Sequence, residues 1–559
     1  MISCSKTDQR FEKIGVVEGF YGTPWTHEAR LDMVSFMGEV GMDTYFYAPK
    51  DDPYHRAKWR EPYAGEKLEE FSELISVSKQ SGVDVFFAIS PGLDIVYSDS
   101  ADFAALNNKL QAMVGLGVEH FALFLDDVPE DLRHAADKEQ YENLAAAHAD
   151  LINRLWDKLK EQNIEFVVCP TTYTSAWGNR DYIQELGETI PQEISLFWTG
   201  EDVAIAKITE AETRDWKRLI QRKPLIWDNF PVNDFEGWRP ILGPLRGRSP
   251  NLPKVAEGII ANPMDRPYSS MIPLYTVADY GKDPAGYEPD TALHEAVTSL
   301  AGEKALAHIM PVVKTYSDYG WTDNEFTPVY TPGKQLDADR LYETLDSLQY
   351  HLEQLKAPMF SGNDYVQHFV AEIEPFISKT RADLDELLKT DRSLPDITSG
   401  YEKKWENARF SIRQEGDKWT ATLDVDEGHS KNEWVMIVTQ YKTPPEVWLQ
   451  PEDLIIRWDL ANSDTARGDH FYLTPFSRKG ISDIKVRTIT SFFEHFTRPS
   501  NTEITTHKED HKDHTSYVVT FPAPEQDSVR FNVFVNPGYM LSKQPYLGNP
   551  FTYPVLVRG

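Results

Sequence analysis

Cysteine is almost absent from this chain: among 559 residues only Cys4 and Cys169 carry a thiol. No disulfide framework can therefore hold the fold together. Cys169 sits inside the apolar run Phe166-Val-Val-Cys-Pro170, where it is expected to pack as a small hydrophobe. Basic residues are also scarce, with 57 Lys plus Arg against 88 Asp plus Glu and a formal net charge of -31. A surface this negative repels phosphate backbones and anionic lipid, which argues against nucleic-acid and membrane-surface roles. Long hydrophobic runs are missing too, since nowhere do about 18 apolar residues follow one another. The opening Met1-ISCSKTDQRFEK lacks the apolar core of a signal peptide. The default expectation is a soluble cytoplasmic protein, with secretion or lipid anchoring the alternative if a leading segment has been removed. No H-E-x-x-H or C-x-x-C spacing occurs, and Gly19-Phe-Tyr-Gly22 is too sparse to cradle a phosphate. No metal and no cofactor is expected.

What the chain does have is one unit repeated: a short β-rich run, a polar tip, then a helical pattern. The runs are Lys13-IGVVEG, Thr44-YFYAPK, Asp84-VFFAIS, His120-FALFLDD, Glu165-FVVCPTTY, Glu193-ISLFWTG, Pro224-LIWDNFP and Val255-AEGIIANP. Eight strands alternating with helices over about 250 residues predict an α/β fold of the (β/α)8 TIM-barrel type, assigned to residues 1–280. A doubly wound sheet would show fewer strands and a glycine-rich first turn.

In a barrel the strand tips converge on one face, where active sites are built. The tips here carry Glu18-Gly19, Lys50-Asp51-Asp52, Ser90-Pro91, Asp126-Asp127, Thr172-Tyr173, Trp198-Thr199, Trp227-Asp228-Asn229 and Asn262. Aromatic faces stack on the C–H-rich face of a sugar ring, and Asn, Asp and Lys bond hydroxyls. For Ser90 and Asp52 a loop start or cap is the simpler reading, and for Trp198 and Trp227 core packing is. Lys50 divides evenly between an ion pair with Asp51 or Asp52 and a functional contact.

Gly15-VVEGFYGTPW, Tyr47-APKDDPYHRAKWRE, Ser90-PGLD, Leu125-DDV, Cys169-PTTY, Trp198-TG, Trp227-DNFPVND and Ala261-NPM together resemble glycoside hydrolase family 84. This is the family of O-GlcNAcases and bacterial β-N-acetylglucosaminidases. The resemblance is firm from about residue 13 to 267, weaker to about 395, and absent beyond 400. It implies that Asp126 and Asp127 are the catalytic pair. Gly19 (through its backbone), Lys50, Asn229, Asp234 and Asn262 match positions that hold sugar hydroxyls. Tyr173, Thr199, Val203 and Trp227 match the pocket around the N-acetyl group.

Two adjacent acids cannot easily flank an anomeric carbon, as a nucleophile-plus-acid glycosidase requires. Substrate-assisted hydrolysis removes the difficulty, because the 2-acetamido oxygen is then the nucleophile and an oxazoline forms. Asp126 is expected to orient the acetamide, and Asp127 to protonate the leaving oxygen. That second role calls for a raised Asp127 pKa. The expected activity is a retaining exo-β-N-acetylglucosaminidase acting on a GlcNAc-bearing glycoconjugate or glycoprotein. The alternatives are an endo-acting hyaluronidase-type hydrolase and a catalytically silent sugar-binding protein.

Residues 281–398 read as a helical bundle. Leu341, Leu345, Leu348, Leu352 and Leu355 form one amphipathic stripe; Phe369, Ile373, Phe376, Ile377, Leu384, Leu387 and Leu388 form another. By resemblance this region packs on the barrel, and it is the surface through which a homodimer would form. Residues 399–559 read as an antiparallel β-sandwich, structural or carbohydrate-binding according to whether Trp434, Trp448 or Trp458 faces outward. His507-KEDHKDH-514 reads as a solvated charged loop.

Overall fold

The structure is a computed structural model that describes residues 10–317 except 163, 177 and 235–239, residues 338–392, and strands with adjoining residues between 401 and 558. The chain divides into two compact units, Met1–Asn324 with Leu348–Glu374, and Glu325–Ser347 with Pro375–Gly559.

All eight expected runs are strands: β1 (Lys13–Val17), β2 (Thr44–Tyr47), β3 (Asp84–Ile89), β4 (His120–Phe124), β5 (Glu165–Cys169), β6 (Ser195–Trp198), β7 (Leu225–Asp228) and β8 (Gly258–Ala261). They pair in parallel in sequence order, and β8 returns to β1 through Gly15↔Ile260 and Val16↔Ala261. The barrel is closed. Closure explains why the strands read as continuous apolar runs, since one face meets the interior and the other the surrounding helices. Gly15 is required by this closeness, because a Cβ there would lie 1.9 Å from the Thr44 carbonyl oxygen.

Residues two apart on each strand share the interior, so Phe46 with Ala48, Phe86 with Ala88, and Ala122 with Phe124 all belong to one cluster. Phe46 stacks on Phe86 with centroids 4.4 Å apart, and Trp227 packs 5.2 Å from both Phe124 and Phe197. Each such side chain contributes about 1.5–3 kcal/mol by burial alone. The barrel is thus plugged by aromatic rings, and the strand tips stand on a rigid floor.

Beyond the barrel lie helices Pro289–Ala301, Leu306–Thr315, Ala338–Leu355 and Asp364–Arg392. The periodic stripes are their buried faces: Leu345, Leu348, Leu352 and Leu355 are inaccessible, as are Phe369, Ile373, Phe376 and Ile377. The side chains of Leu341, Leu384, Leu387 and Leu388 lie outside the described residues. Glu372 accepts the backbone N–H groups of Tyr268 (3.2 Å) and Ser269 (2.6 Å), and His368 stacks on Tyr268 at 3.9 Å. A carboxylate there meets the unpaired N–H groups that open helix Pro267–Lys282.

Two antiparallel sheets follow. One has five strands in the order Thr505–Asp510, His514–Pro522, Lys418–Asp426, Ala408–Glu415 and Tyr401–Lys404. The other has four, in the order Leu454–Asp459, Trp434–Gln440, Ser528–Asn536 and Tyr553–Arg558. Half of the segment expected as a charged loop at 507–514 is instead strand: residues 507–510 belong to the edge strand Thr505–Asp510, which pairs antiparallel with His514–Pro522. Its charges suit that position, because charged side chains protect a sheet edge from further pairing. Trp448 and the side chains of Trp434 and Trp458 lie outside the described residues. Among the described residues no helix is long and apolar enough to cross a membrane.

Candidate active site

Most of the carboxylates at the barrel mouth are occupied. Glu18, fully buried, receives two N–H groups of Arg30 at 2.7 Å, the Trp25 N–H and the Tyr45 hydroxyl. Asp52 accepts the hydroxyls of Tyr47 and Tyr63, and Asp228 pairs with Arg248 at 2.5 Å. Trp198 is wholly buried, bonded to Ser175 and stacked on Trp216. These tips are structural.

Asp126 and Asp127 differ from them. Asp127 adopts φ +51°, the left-handed region, which costs an L-residue about 1–2 kcal/mol and which Asp tolerates better than most. The two side chains reach different partners. Asp126 is buried, and its Oδ2 accepts from Lys50 Nζ. Its Oδ1 is buried with no hydrogen-bond partner among the described residues. Asp127 is exposed at the mouth, where its carboxylate accepts the Tyr21 hydroxyl at 2.6 Å and the Tyr173 hydroxyl at 2.9 Å.

Lys50 therefore pairs with neither Asp51 nor Asp52. It lies 5.8–5.9 Å from the ring centroids of Tyr21, Phe124 and Trp227, an aromatic surround that suits a cation. The loop that carries it is stapled from below by Lys109, whose Nζ donates to the carbonyls of Tyr54, Trp59 and Glu61. Burial pushes the Lys109 pKa down to about 8. His55 on the same loop bonds the Ala88 carbonyl at 2.9 Å, and burial lowers its pKa to about 3, so it stays neutral.

The expected rise in the Asp127 pKa is not what the structure has. Enclosure by protein atoms pushes it upward, but Lys50, the Tyr21 hydroxyl, Arg56 and the Tyr173 hydroxyl together outweigh that push. The carboxyl is held below its ordinary range. Tyr21 and Tyr173 are raised well above theirs, by burial first and then by Asp127, so both remain donors at working pH.

The remaining expected residues join the same constellation. The Trp227 Nε1 and Asn262 Nδ2 groups both donate to Asn229 Oδ1, at 2.9 and 2.8 Å, and Asn229 Nδ2 donates to the Val203 carbonyl at 2.6 Å. Asn262 Oδ1 is buried with no hydrogen-bond partner among the described residues. The Thr199 N–H donates to the Tyr173 carbonyl at 2.9 Å. Asp234 accepts the Tyr21 backbone N–H at 2.9 Å, tying the loop after β7 to that after β1. Gly19 lies against Trp227, where a Cβ would come within 2.5 Å of the indole. All eleven expected residues are thus brought together. Tyr21 and Arg56 were not singled out from sequence, and their only signal was membership of the first two motifs.

Asp51 accepts the Gly22 N–H at 3.2 Å, and burial raises its pKa to about 6. A carboxyl whose folded pKa lies above its unfolded value loses stability for the fold as pH rises between the two. Asp51→Asn keeps an acceptor for Gly22 and removes that loss. It is expected to add on the order of 1–2 kcal/mol above pH 6 and nothing near pH 4. Melting curves at both pH values check this, and equal gains at the two would contradict it.

A closed eight-stranded barrel with a carboxylate pair at its mouth, set among tyrosine, tryptophan and amide side chains, has the architecture of a glycoside hydrolase. The sequence profile of the family described as beta-N-acetylglucosaminidase matches residues 14–314. The chain belongs to that family, glycoside hydrolase family 84. Protein O-GlcNAcase from Rattus norvegicus and that from Mus musculus are each 35% identical to it over 273 residues. That stretch is 48% of this chain and 30% of each relative, so the match spans less than a third of the relatives' length. A solved Thermobaculum terrenum O-GlcNAc hydrolase mutant superposes with a TM-score of 0.59 at 35% identity, covering 68% of this chain and 83% of the other.

Proposed function

We propose that the chain is a retaining exo-β-N-acetylglucosaminidase that cleaves terminal β-linked GlcNAc by substrate-assisted catalysis. The observation that carries this reading is the buried Oδ1 of Asp126, which has no hydrogen-bond partner among the described residues. An acceptor left unsatisfied in the interior is costly unless a ligand donor meets it, and the acetamido N–H is a donor of the right kind. Asp126, paired through Oδ2 with Lys50, sets a carboxylate where it opposes the positive charge of the oxazolinium.

In the first step the acetamido oxygen attacks the anomeric carbon as the glycosidic C–O bond breaks and Asp127 gives its proton to the departing oxygen. In the second step Asp127, now a carboxylate, takes a proton from the water that opens the oxazoline at the anomeric carbon. Two inversions leave net retention. Asp127 acquires its starting proton as substrate enters, because a neutral sugar excludes solvent from the carboxylate and disfavours its charged form. Trp227, Tyr173, Thr199 and Val203 surround the acetamide in this reading, and Gly19, Lys50, Asn229, Asp234 and Asn262 bond the sugar hydroxyls.

An exo mode is supported by Asp234, whose bond to Tyr21 ties two loops together on one side of the mouth. The same reading takes the helices after the barrel as a bundle and the two C-terminal sheets as a sandwich. The natural substrate proposed is a GlcNAc-bearing glycoprotein. Product analysis on a β-linked GlcNAc oligosaccharide tests the assignment: free GlcNAc released from the non-reducing end is expected. Larger fragments without GlcNAc would overturn the exo mode, and no turnover of any β-GlcNAc would overturn the enzyme assignment.

A further inference from the structure

We propose that Arg56 is a positioning residue for the general acid, fixing at once the hydrogen-bond donor to Asp127 and the backbone that carries it. The inference rests on Asp127 being the general acid. Arg56 Nη1 donates to the Tyr21 hydroxyl oxygen at 3.0 Å, and its Nη2 donates to the Asp127 main-chain carbonyl at 2.8 Å. Tyr21 in turn donates to Asp127 Oδ2 at 2.6 Å. A phenol has one proton to give. With the guanidinium occupying the oxygen as an acceptor, that proton is committed to the carboxylate. The same guanidinium satisfies the carbonyl of a residue held at φ +51°, a backbone that needs outside support to persist.

A purely structural arginine would be placed differently. Arg56 forms no side-chain ion pair with either catalytic carboxylate in the described residues, and its Nε is buried without a partner, which carries a desolvation cost. Its two contacts are to the two ends of the unit that presents Asp127. The loop it stands on is fixed by Lys109 and Asp52, so the fork is held before substrate arrives. The segment after β2 then supplies a separate cation for each acid. Lys50 meets Asp126 directly, and Arg56 meets Asp127 through Tyr21 and the main chain. An ammonium could not span both acceptors, so lysine should not replace it.

The test compares alkyl and 2,4-dinitrophenyl β-GlcNAc on the full chain, because only the alkyl leaving group needs a proton. For Arg56→Gln and Arg56→Lys we expect kcat/KM to fall on the order of 10- to 100-fold for the alkyl glycoside and less than about threefold for the aryl one. Tyr21→Phe, which leaves the guanidinium–carbonyl bond in place, should reproduce part of the alkyl-selective loss. The Tyr21→Phe, Arg56→Gln double variant should lose less than the product of the two single effects. Equal losses on both substrates, or none, would overturn the proposal. Asp127→Ala measured alongside separates the two levels. If it too lacks leaving-group dependence, the general-acid assignment fails; if it alone shows the dependence, only the role of Arg56 fails.

Discussion

Asp126→Ala is expected to lower kcat/KM for aryl β-GlcNAc by about 10²- to 10³-fold, the scale set by removing one preorganised charge partner from a transition state. A second readout is specific to mechanism. In the wild type the rate should fall as the N-acetyl group is fluorinated, because the acetamido oxygen becomes a weaker nucleophile. In Asp126→Ala the advantage of N-acetyl over N-trifluoroacetyl should disappear, and an unchanged slope would argue against the role. The variant also leaves Lys50, whose side chain is 2% exposed, without its carboxylate. Removing one partner of a buried pair typically costs about 3–5 kcal/mol. Rates should therefore be taken below the lowered melting temperature.

Asp127→Ala is expected to divide substrates by leaving group. Alkyl glycosides should lose about 10²- to 10⁴-fold, the usual contribution of a placed general acid, and phenolates of low pKa should lose far less. Equal loss on both would remove Asp127 from that role. The depressed Asp127 pKa adds a direction in pH. Because the free carboxyl is ionised at neutrality, kcat/KM for alkyl glycosides should rise as pH falls below 7. That dependence belongs to the pair and should be read as a macroscopic profile.

The barrel was legible because each of its strands is an apolar run ended by a polar tip, a pattern written locally in the chain. The position of the proposed pair was legible for the same reason: Asp126 and Asp127 stand at the polar tip just beyond β4. The protonation of Asp127 was not. A neighbouring acid and an apolar run suggested a raised pKa, whereas the groups that lower it, Lys50, Tyr21, Arg56 and Tyr173, come from three other loops. Lys109 was invisible for a related cause. It stands on helix Ser100–Gly115 and acts on carbonyls about fifty residues upstream, which no local pattern announces. The segment at 507–514 misled in the opposite way. Dense charge reads as loop, yet an edge strand carries charge for its own reasons.

The central claim is that the substrate's own acetamide is the nucleophile. Hydrolysis of an aryl β-GlcNAc in the presence of a thiazoline mimic of the oxazoline tests it most directly. The mimic should inhibit competitively, binding far more tightly than the substrate, and Asp126→Ala should abolish that preference. Turnover indifferent to the thiazoline would contradict the account.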